Sequence, residues 1–218
     1  NGSYPGNLTA VGDTLFFSAS DVNDDLELWK TNGTEISTVL VKDINPGPTA
    51  SSSPQALRNL NGTLVFTATT ATNGREFWKS DGTETGTVQL QDLNPGGAGI
   101  SPTNITPVNN TLFFTATINS KLSLAKTDGT TSGTSVLNPT VVSGGTYATL
   151  YGFENKLYFM HDGLVVGEPS TATGREPWVS DGTNAGTQLI KDINSTTSAG
   201  NPGPYGKAGN TIFFAAND

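Results

Sequence analysis

A phrase that begins with Glu-x-Trp and ends with Gly-Thr returns along this chain at intervals of about 50 residues. Its copies are ELWKTNGT at 27–34, EFWKSDGT at 76–83, EPWVSDGT at 176–183 and a degenerate LSLAKTDGT at 122–130. The interval is typical of propeller blades and exceeds the length of leucine-rich, ankyrin and tetratricopeptide units. The chain is therefore predicted to fold as a tandem array.

A second phrase, rich in Leu and Phe, precedes each copy of the first. It occurs at 12–19, 61–68, 109–116, 155–160 and 209–216. In the second unit Asn61-Gly62 suits a type I′ hairpin turn, because both central residues of that turn have positive φ. β-branched and aromatic residues follow at once, so each copy is expected to begin a strand.

The second unit serves as a template for all units. Its predicted strands are 56–60, 63–69, 76–80 and 86–93, with a second tight turn at Asp81-Gly82. Four short antiparallel strands make one propeller blade. The prediction is an all-β antiparallel repeat array, a β-propeller of four blades of about 49 residues with an extra terminal hairpin. The blades are placed at 4–48, 49–98, 99–143 and 144–198 of one array over 1–218, and the half-repeat at 199–218.

The half-repeat at 199–218 arises because the Leu-Phe phrase has one more copy than the Trp phrase. Three interpretations are open: a fragment of a longer array, a ring closed by the extra hairpin as a clasp, or a hairpin that completes a blade in a neighbouring molecule. The third follows because an exposed β edge is a template for another chain. Other copies of the chain or neighbouring repeats are then the expected partners.

Composition limits the partners and the location. The absence of Cys removes zinc-thiolate sites and Cys nucleophiles. Eleven basic against nineteen acidic residues leave a net charge of −8, so nucleic acid is not an expected partner. No stretch approaches the ~20 apolar residues of a membrane span. Abundant Gly, Thr, Ser and Asn are typical of secreted all-β proteins, so an extracellular or cell-surface location is expected. The start at Asn1 rather than Met indicates a processed or excised piece.

Candidate ligand-binding residues lie at the Trp positions and in the fourth unit. Trp29, Trp78 and Trp178 occupy one fixed place per unit, either as packing between sheets or as platforms for sugar rings. The fourth unit has about seven extra residues within 160–169, and binding residues are common on such loops. The alternative is a tolerated surface loop. The candidates in this insertion are His161, Asp162 and Glu168.

An acidic loop before the first Trp phrase is the candidate metal site. Its members are Asp21, Asn23, Asp24, Asp25 and Glu27. Oxygen ligands at alternate positions suit Ca²⁺, which takes six to eight oxygens. The match to an EF-hand loop is partial, because Leu26 stands where that loop needs Gly. A solvated acidic loop is the alternative, and no cofactor is required.

Asn-x-Ser/Thr sequons are frequent. They begin at Asn1, Asn7, Asn32, Asn61, Asn104, Asn109 and Asn194. These residues are candidate N-glycosylation sites if the chain meets the glycosylation machinery.

Signatures of catalysis are absent. The chain has a single His and lacks G-x-S-x-G, H-E-x-x-H and a glycine-rich phosphate loop. Glycosidases need only two carboxylates, so that class stays open. Glu27, Glu76 and Glu176 repeat at equivalent places, however, which indicates a structural role. Arg75 and Arg175 are expected to pair with the Glu of their own units, and the chain is expected not to be an enzyme.

The two phrases combine into N-G-x-L-x-F-x-A followed by G-x-E-L-W-x-S-D-G-T-x-x-G-T-x-L-V-K-D-I-N-P. This pattern resembles the ELWxxDGT repeats of large secreted or surface bacterial proteins over nearly the whole chain. The resemblance implies a tandem, propeller-like extracellular β array, and it brings no catalytic residue. The third unit departs from it, because Ala125 replaces Trp. The expected function is a non-enzymatic extracellular module for adhesion, surface structure or self-assembly. The alternatives are a glycan-binding lectin with sites between blades and, third, a glycosidase-like enzyme.

Overall fold

The computed structural model describes residues 2–47, 50–137, 141–142, 146–162, 164–165, 174–194 and 200–217. Over these ranges the chain forms strands and loops but no helix, and hence no helical segment that could cross a membrane. All paired strands are antiparallel, which confirms the prediction of an all-β antiparallel fold.

Four sheets of four strands follow one another along the chain, each with its strands paired in sequence order. Sheet 1 contains β1 (Gly6–Val11), β2 (Thr14–Ser20), β3 (Leu26–Thr31) and β4 (Val39–Lys42). Sheet 2 contains β5 (Gln55–Leu60), β6 (Thr63–Thr70), β7 (Gly74–Ser80) and β8 (Val88–Gln89). Sheet 3 contains β9 (Thr103–Val108), β10 (Thr111–Ile118), β11 (Lys121–Thr127) and β12 (Ser135–Leu137).

The remaining strands form sheet 4 and two separate strand pairs. They are β13 (Val141–Val142), β14 (Tyr147–Phe153), β15 (Lys156–His161), β16 (Leu164–Val165), β17 (Glu176–Ser180), β18 (Gln188–Leu189), β19 (Gly206–Ala208) and β20 (Thr211–Phe213). Sheet 4 has the order β14-β15-β17-β18, while β13 pairs with β16 and β19 with β20. Each four-stranded sheet falls within one of the predicted segments, and β19–β20 falls within the half-repeat.

The chain divides into two compact units. Unit 1 consists of residues 1–101 and 127–135, and unit 2 of residues 102–126 and 136–218. Both cores are built mainly from the second and third strands of their sheets, with single residues from the first and fourth strands. Core residues of unit 1 include Phe16, Leu28, Leu64, Phe66 and Trp78. Core residues of unit 2 include Phe113, Leu124, Leu157, Phe159 and Trp178.

Successive sheets within a unit meet through one repeated contact. In unit 1, a Cβ placed on Gly82 of sheet 2 would lie 3.3 Å from Cζ of Phe16 in sheet 1. In unit 2, a Cβ on Gly182 of sheet 4 would lie 3.3 Å from Cζ of Phe113 in sheet 3. Phe16 and Phe113 hold the same position in the Leu-Phe phrase. The first Phe of this phrase therefore packs on the Asp-Gly loop of the following sheet.

The hairpin turns have two different geometries. Asn61 and Gly62 have φ values of 52° and 79°, as the prediction of a type I′ turn requires. Asp81-Gly82 was expected to form a similar tight turn, and this expectation is wrong. Residues 81–87 form a longer loop between β7 and β8, so the fourth strand is shorter than the predicted 86–93.

Side chains close the 81–87 loop. The Asp81 carboxylate accepts bonds from the backbone N–H of Thr83 at 2.8 Å and from its hydroxyl at 2.7 Å. The Thr83 hydroxyl in turn accepts the N–H of Gly86 at 2.9 Å. A Cβ on Gly86 would lie 2.1 Å from the Asp81 carboxylate, so any other residue here would displace that carboxylate. The Asp-Gly-Thr-x-x-Gly-Thr pattern thus encodes a hydrogen-bonded loop.

Candidate functional site

The three Trp side chains differ in exposure. Trp78 and Trp178 are only 7% and 2% exposed and belong to the two cores. A buried ring offers no face to a sugar, so only Trp29, which is half-buried, remains a candidate platform. Trp29 lines a cavity of about 310 Å³ together with Ser3, Ser20, Asp21 and Val22. An aromatic face beside hydroxyls and a carboxylate is a polar-apolar combination suited to a small sugar.

The candidates of the fourth unit have structural contacts. His161 is buried at the end of β15, where its ring stacks on Tyr147 with centroids 4.2 Å apart and its Nδ1 lies 3.1 Å from the Thr146 carbonyl oxygen. Burial lowers the pKa of His161, which favours the neutral ring. Asp162 accepts hydrogen bonds from the backbone N–H and the hydroxyl of Thr146. Glu168 lies outside the described residues.

The predicted acidic loop separates into two groups. Asp21 closes the loop, because its carboxylate accepts the backbone N–H groups of Asn23 at 2.7 Å and Asp25 at 3.1 Å. These bonds lower the pKa of Asp21. Asn23 and Asp24 are exposed beside it.

The second group adds a residue that sequence reasoning missed. Asp25 and Glu27 lie with Asp43 such that one carboxylate oxygen of each is within 4.8 Å of the others. Asp25 and Glu27 are buried, whereas Asp43 is exposed. Asp43 follows β4, the strand that pairs with β3. Asp43 belongs to the Lys-Asp-Ile-Asn motif at 42–45, which is visible in the sequence. Its position beside Glu27 follows only from the pairing of β3 with β4.

The Glu of the Trp phrase holds the loop that leaves its sheet. Glu27 accepts the backbone N–H of Ile44 at 3.1 Å and of Ser52 at 2.7 Å. Glu176 accepts the corresponding groups of Ile193 at 3.0 Å and Gly200 at 2.8 Å. A carboxylate that is satisfied by backbone donors acts here as a structural clamp.

Among the three Glu residues of the Trp phrase, Glu76 in sheet 2 has the weakest hydrogen bonding. Glu76 accepts a long bond of 3.5 Å from the N–H of Leu93, and its Oε1 is buried without a hydrogen-bond partner. Burial raises the pKa of Glu76 to about 8, and nearby Asp92 adds to this effect. Arg75, the expected ion-pair partner, instead donates to the Ser53 carbonyl and the Thr67 hydroxyl. The predicted pairing is therefore wrong for sheet 2, because neighbouring residues of a strand point to opposite faces.

The sequon residues lie mostly at the surface. Asn61 is exposed at the tip of its turn. The side-chain amides of Asn7, Asn104 and Asn109 donate to Ser18, Thr115 and Asn155. Asn32 accepts hydrogen bonds inside the first Gly-Thr loop. Asn194 is half-buried, and Asn1 lies outside the described residues.

Comparisons with known proteins give only distant likenesses. No family model matches the chain, and no curated protein matches it significantly. Among solved structures, a prolyl endopeptidase is 12% identical over 82% of this chain and 24% of its own, with a TM-score of 0.48. The acylaminoacyl peptidase of Pyrococcus horikoshii is 13% identical over 86% and 27%, with a TM-score of 0.48. A chain of the nidogen/laminin complex is 14% identical over 99% and 73%, with a TM-score of 0.40.

The chain thus spans about a quarter of the length of the two peptidases. Likenesses this distant assign neither a family nor an activity to the chain.

Proposed function

We propose that the chain is a non-enzymatic extracellular β-propeller module of the ELWxxDGT-repeat type, with sheets 1 to 4 as blades, that assembles head to tail in adhesion or surface structure. The observation that supports this proposal most is the exposed half-repeat. Among the strands that the structure describes, β19 and β20 pair with each other and with no other strand, and Phe213 of β20 is 57% exposed. In β10 the equivalent Phe113 is 2% exposed.

The half-repeat is a folded part of unit 2. Beyond its two strands, the Gly203 N–H donates to the Ala215 carbonyl at 2.5 Å, and the Asn217 N–H to the Gly200 carbonyl at 2.7 Å. Tyr205 is buried and its hydroxyl donates to the Phe159 carbonyl of sheet 4 at 3.0 Å. The hairpin is therefore fixed on sheet 4 while Phe213 faces solvent.

The repeated contact between sheets supports one candidate for the group that would cover Phe213. Phe16 and Phe113, at the same position of the phrase, each pack on the glycine of the next Gly-Thr loop. The first such loop of the chain contains Gly33, and within unit 1 nothing lies within 4 Å of a Cβ placed there. The loop around Gly33 in a second copy is therefore the proposed partner of Phe213. Head-to-tail contacts of this kind give open filaments when they do not close.

Disulfide trapping tests the assembly directly, because the chain has no Cys of its own. Ile36 is 93% exposed in the same loop as Gly33, and Thr211 is exposed on the same face of β20 as Phe213. The double variant I36C/T211C therefore places one thiol at each end of the proposed contact and keeps Phe213. We expect a ladder of oligomers on non-reducing gels, whereas either single variant can form at most a disulfide-linked dimer. A cross-linked monomer would instead identify a clasp within one chain and contradict the proposal.

Light scattering of Phe213→Lys gives a second measurement, because Lys at a sheet edge opposes edge association. Phe213→Lys is expected to lower the average mass to that of a monomer at concentrations where the unaltered chain associates. Ile36→Lys adds the same charge in the loop around Gly33. Its average mass is compared with that of Phe213→Lys, so that both ends of the proposed contact are tested. An unaltered chain that is monomeric at all concentrations would refute self-assembly.

A glycan-binding role is the second candidate, because of the cavity at Trp29. This role requires the half-buried indole to stack on a sugar ring while Asp21 and the serines bind its hydroxyls. A glycan array would identify a ligand, and Trp29→Ala should abolish that binding whereas Leu8→Ala, at an exposed apolar residue of the same unit, should not. Equal binding by the Trp29 variant would exclude this cavity. A glycosidase-like activity is the third candidate function.

A further inference from the structure

The carboxylate group of sheet 1 concentrates negative charge beyond its role as a clamp. Asp25 directly precedes β3 and Glu27 is the second residue of that strand, and their carboxylates lie close together. Asp43 reaches these carboxylates from the end of β4, and one oxygen of each residue lies within 4.8 Å of the others. The exposed position of Asp43 leaves one side of the group open to solvent.

A second observation points to a missing ligand. Asp25 is only 9% exposed, and its Oδ1 is fully buried without any hydrogen-bond partner. A hydrogen bond to the Ser51 side chain satisfies part of this carboxylate but leaves Oδ1 without a partner. Burying an unsatisfied carboxylate oxygen is costly, and buried charges in proteins are normally paired or bind a metal. From these positions we infer that Asp25, Glu27 and Asp43 bind one Ca²⁺ ion.

Electrostatics agree with this assignment. Burial raises the pKa of Asp25, and the nearby charges of Asp43 and Asp21 add to the effect. Burial also raises the pKa of Glu27. A divalent cation would neutralise two of the three charges and stabilise the ionised forms.

Within the described part of the chain, sheet 1 is the one sheet that brings three carboxylates together. Gly74 and Gly174 stand in place of Asp25, so sheets 2 and 4 keep only the Glu of the Trp phrase and the Asp of the exit loop. Sheet 3 has Ser123 in place of the Glu. The third carboxylate, at Asp25, therefore distinguishes the proposed site from the clamps.

Ca²⁺ fits this donor set better than other common cations. All three ligands are carboxylates, which hard cations prefer, and no Cys or His takes part. Ca–O bonds of about 2.3–2.6 Å allow ligand oxygens to be up to about 5 Å apart, whereas Mg²⁺ needs bonds of about 2.0–2.1 Å and near-ideal octahedral geometry. Water at the open side beside Asp43 would complete the six to eight ligands of Ca²⁺. The sequence-predicted ligands Asp21, Asn23 and Asp24 are not needed.

Calorimetric titration of the full chain with CaCl₂, after removal of divalent ions by a chelator, tests the site. We expect one site per chain and a rise of a few degrees in Tm, about 2 to 8 °C, at saturating Ca²⁺. Asp43→Asn, a change at an exposed residue, should weaken binding at least about tenfold, and so should Asp25→Asn. Asp92→Asn, the equivalent change in sheet 2, and Asp13→Asn, at an exposed turn, should leave binding unchanged.

Three results would overturn the inference. The first is the absence of both heat and a Tm shift in the unaltered chain. The second is full binding by Asp43→Asn, whose folding is monitored by its own Tm without Ca²⁺. The third is an equal affinity for MgCl₂, which would contradict the assignment to Ca²⁺.

Discussion

Sheets 2 and 3 have the same four-stranded topology but differ in the Trp phrase. Sheet 2 has Glu76 and Trp78 on β7, whereas the equivalent positions of β11 are Ser123 and Ala125. Both sheets keep their strand order, and both keep the side-chain-bonded Gly-Thr loop. The comparison teaches that the loop and the Leu-Phe strands define the sheet, while the Glu and the Trp are additions with their own energetic roles.

The largest expected effect on stability comes from exchanging the residues at the Trp position of sheets 2 and 3. Trp78→Ala should lower the free energy of unfolding by about 3–5 kcal/mol, because the surrounding core cannot refill the space of an indole. Ala125→Trp should also destabilise, by about 1–3 kcal/mol or more, because Ala125 is fully buried without room for a ring. Urea denaturation measures both.

A loss below about 1 kcal/mol for Trp78→Ala would show that sheet 2 can adopt the packing of sheet 3. The matched change Leu8→Ala, at an exposed apolar residue of unit 1, should alter stability by no more than about 0.5 kcal/mol.

Features of sheets 2 and 3 that depend only on neighbouring residues could be predicted from the sequence. The four-stranded units could be predicted, because hairpin turns such as Asn61-Gly62 depend on neighbouring residues alone. The loop at 81–87 was misread as a tight turn, since the need for Gly86 arises from its close approach to the Asp81 carboxylate. That approach is visible only in three dimensions.

The candidate sites depended even more on tertiary contacts. No pattern in the sequence separated half-buried Trp29 from buried Trp78, because exposure is set by neighbouring strands. The acidic loop was recognised, but Asp43 was missed because its nearness to Asp25 requires the pairing of β3 with β4. Repetition predicted a structural role for Glu27 and Glu176 but not the backbone N–H groups that they bind.

Titration of Glu76 provides the next test, because sheet 3 has no ionisable group at this position. The pKa of Glu76 is raised from its ordinary 4.5 to about 8 in the folded chain. Between these values the folded state holds a proton that the unfolded state has lost, so stability falls as the pH rises from 4.5 to 8. The contribution of Glu76 is thus fully present below pH 4.5 and lost through pH 8.

Glu76→Gln should remove this contribution to the pH dependence. The variant should gain stability relative to the unaltered chain as the pH rises from 5 to 8, by at most about 1.4 kcal/mol per pH unit. Denaturation series at several pH values measure the difference. Glu176→Gln is the matched control and should destabilise at pH 7, because its amide group would replace an acceptor of the Ile193 or Gly200 N–H. A constant difference between Glu76→Gln and the unaltered chain would contradict the raised pKa.

The smallest effect concerns the feature that both sheets share. Asp81→Ala and Asp128→Ala each remove the acceptor for a Thr N–H and hydroxyl, at 2.8 and 2.7 Å in sheet 2 and 2.9 and 2.6 Å in sheet 3. Each should cost about 1 kcal/mol, as the loss of a capping side chain does, and the two losses should be equal within error. A loss in only one sheet would break the equivalence of the two loops.

Substitution of Gly86 tests whether the Asp81 carboxylate is what requires Gly at this position. Gly86→Ala should destabilise more than Asp81→Ala, because the new Cβ would lie 2.1 Å from the Asp81 carboxylate. The double variant should therefore lose less stability than the sum of the two single changes, since Asp81→Ala removes the clashing group. In sheet 1 the equivalent positions hold Asn32 instead of Asp and Ser37 instead of Gly, and these two side chains hydrogen-bond to each other. Strict additivity in urea denaturation would show that the carboxylate is not what requires Gly at position 86.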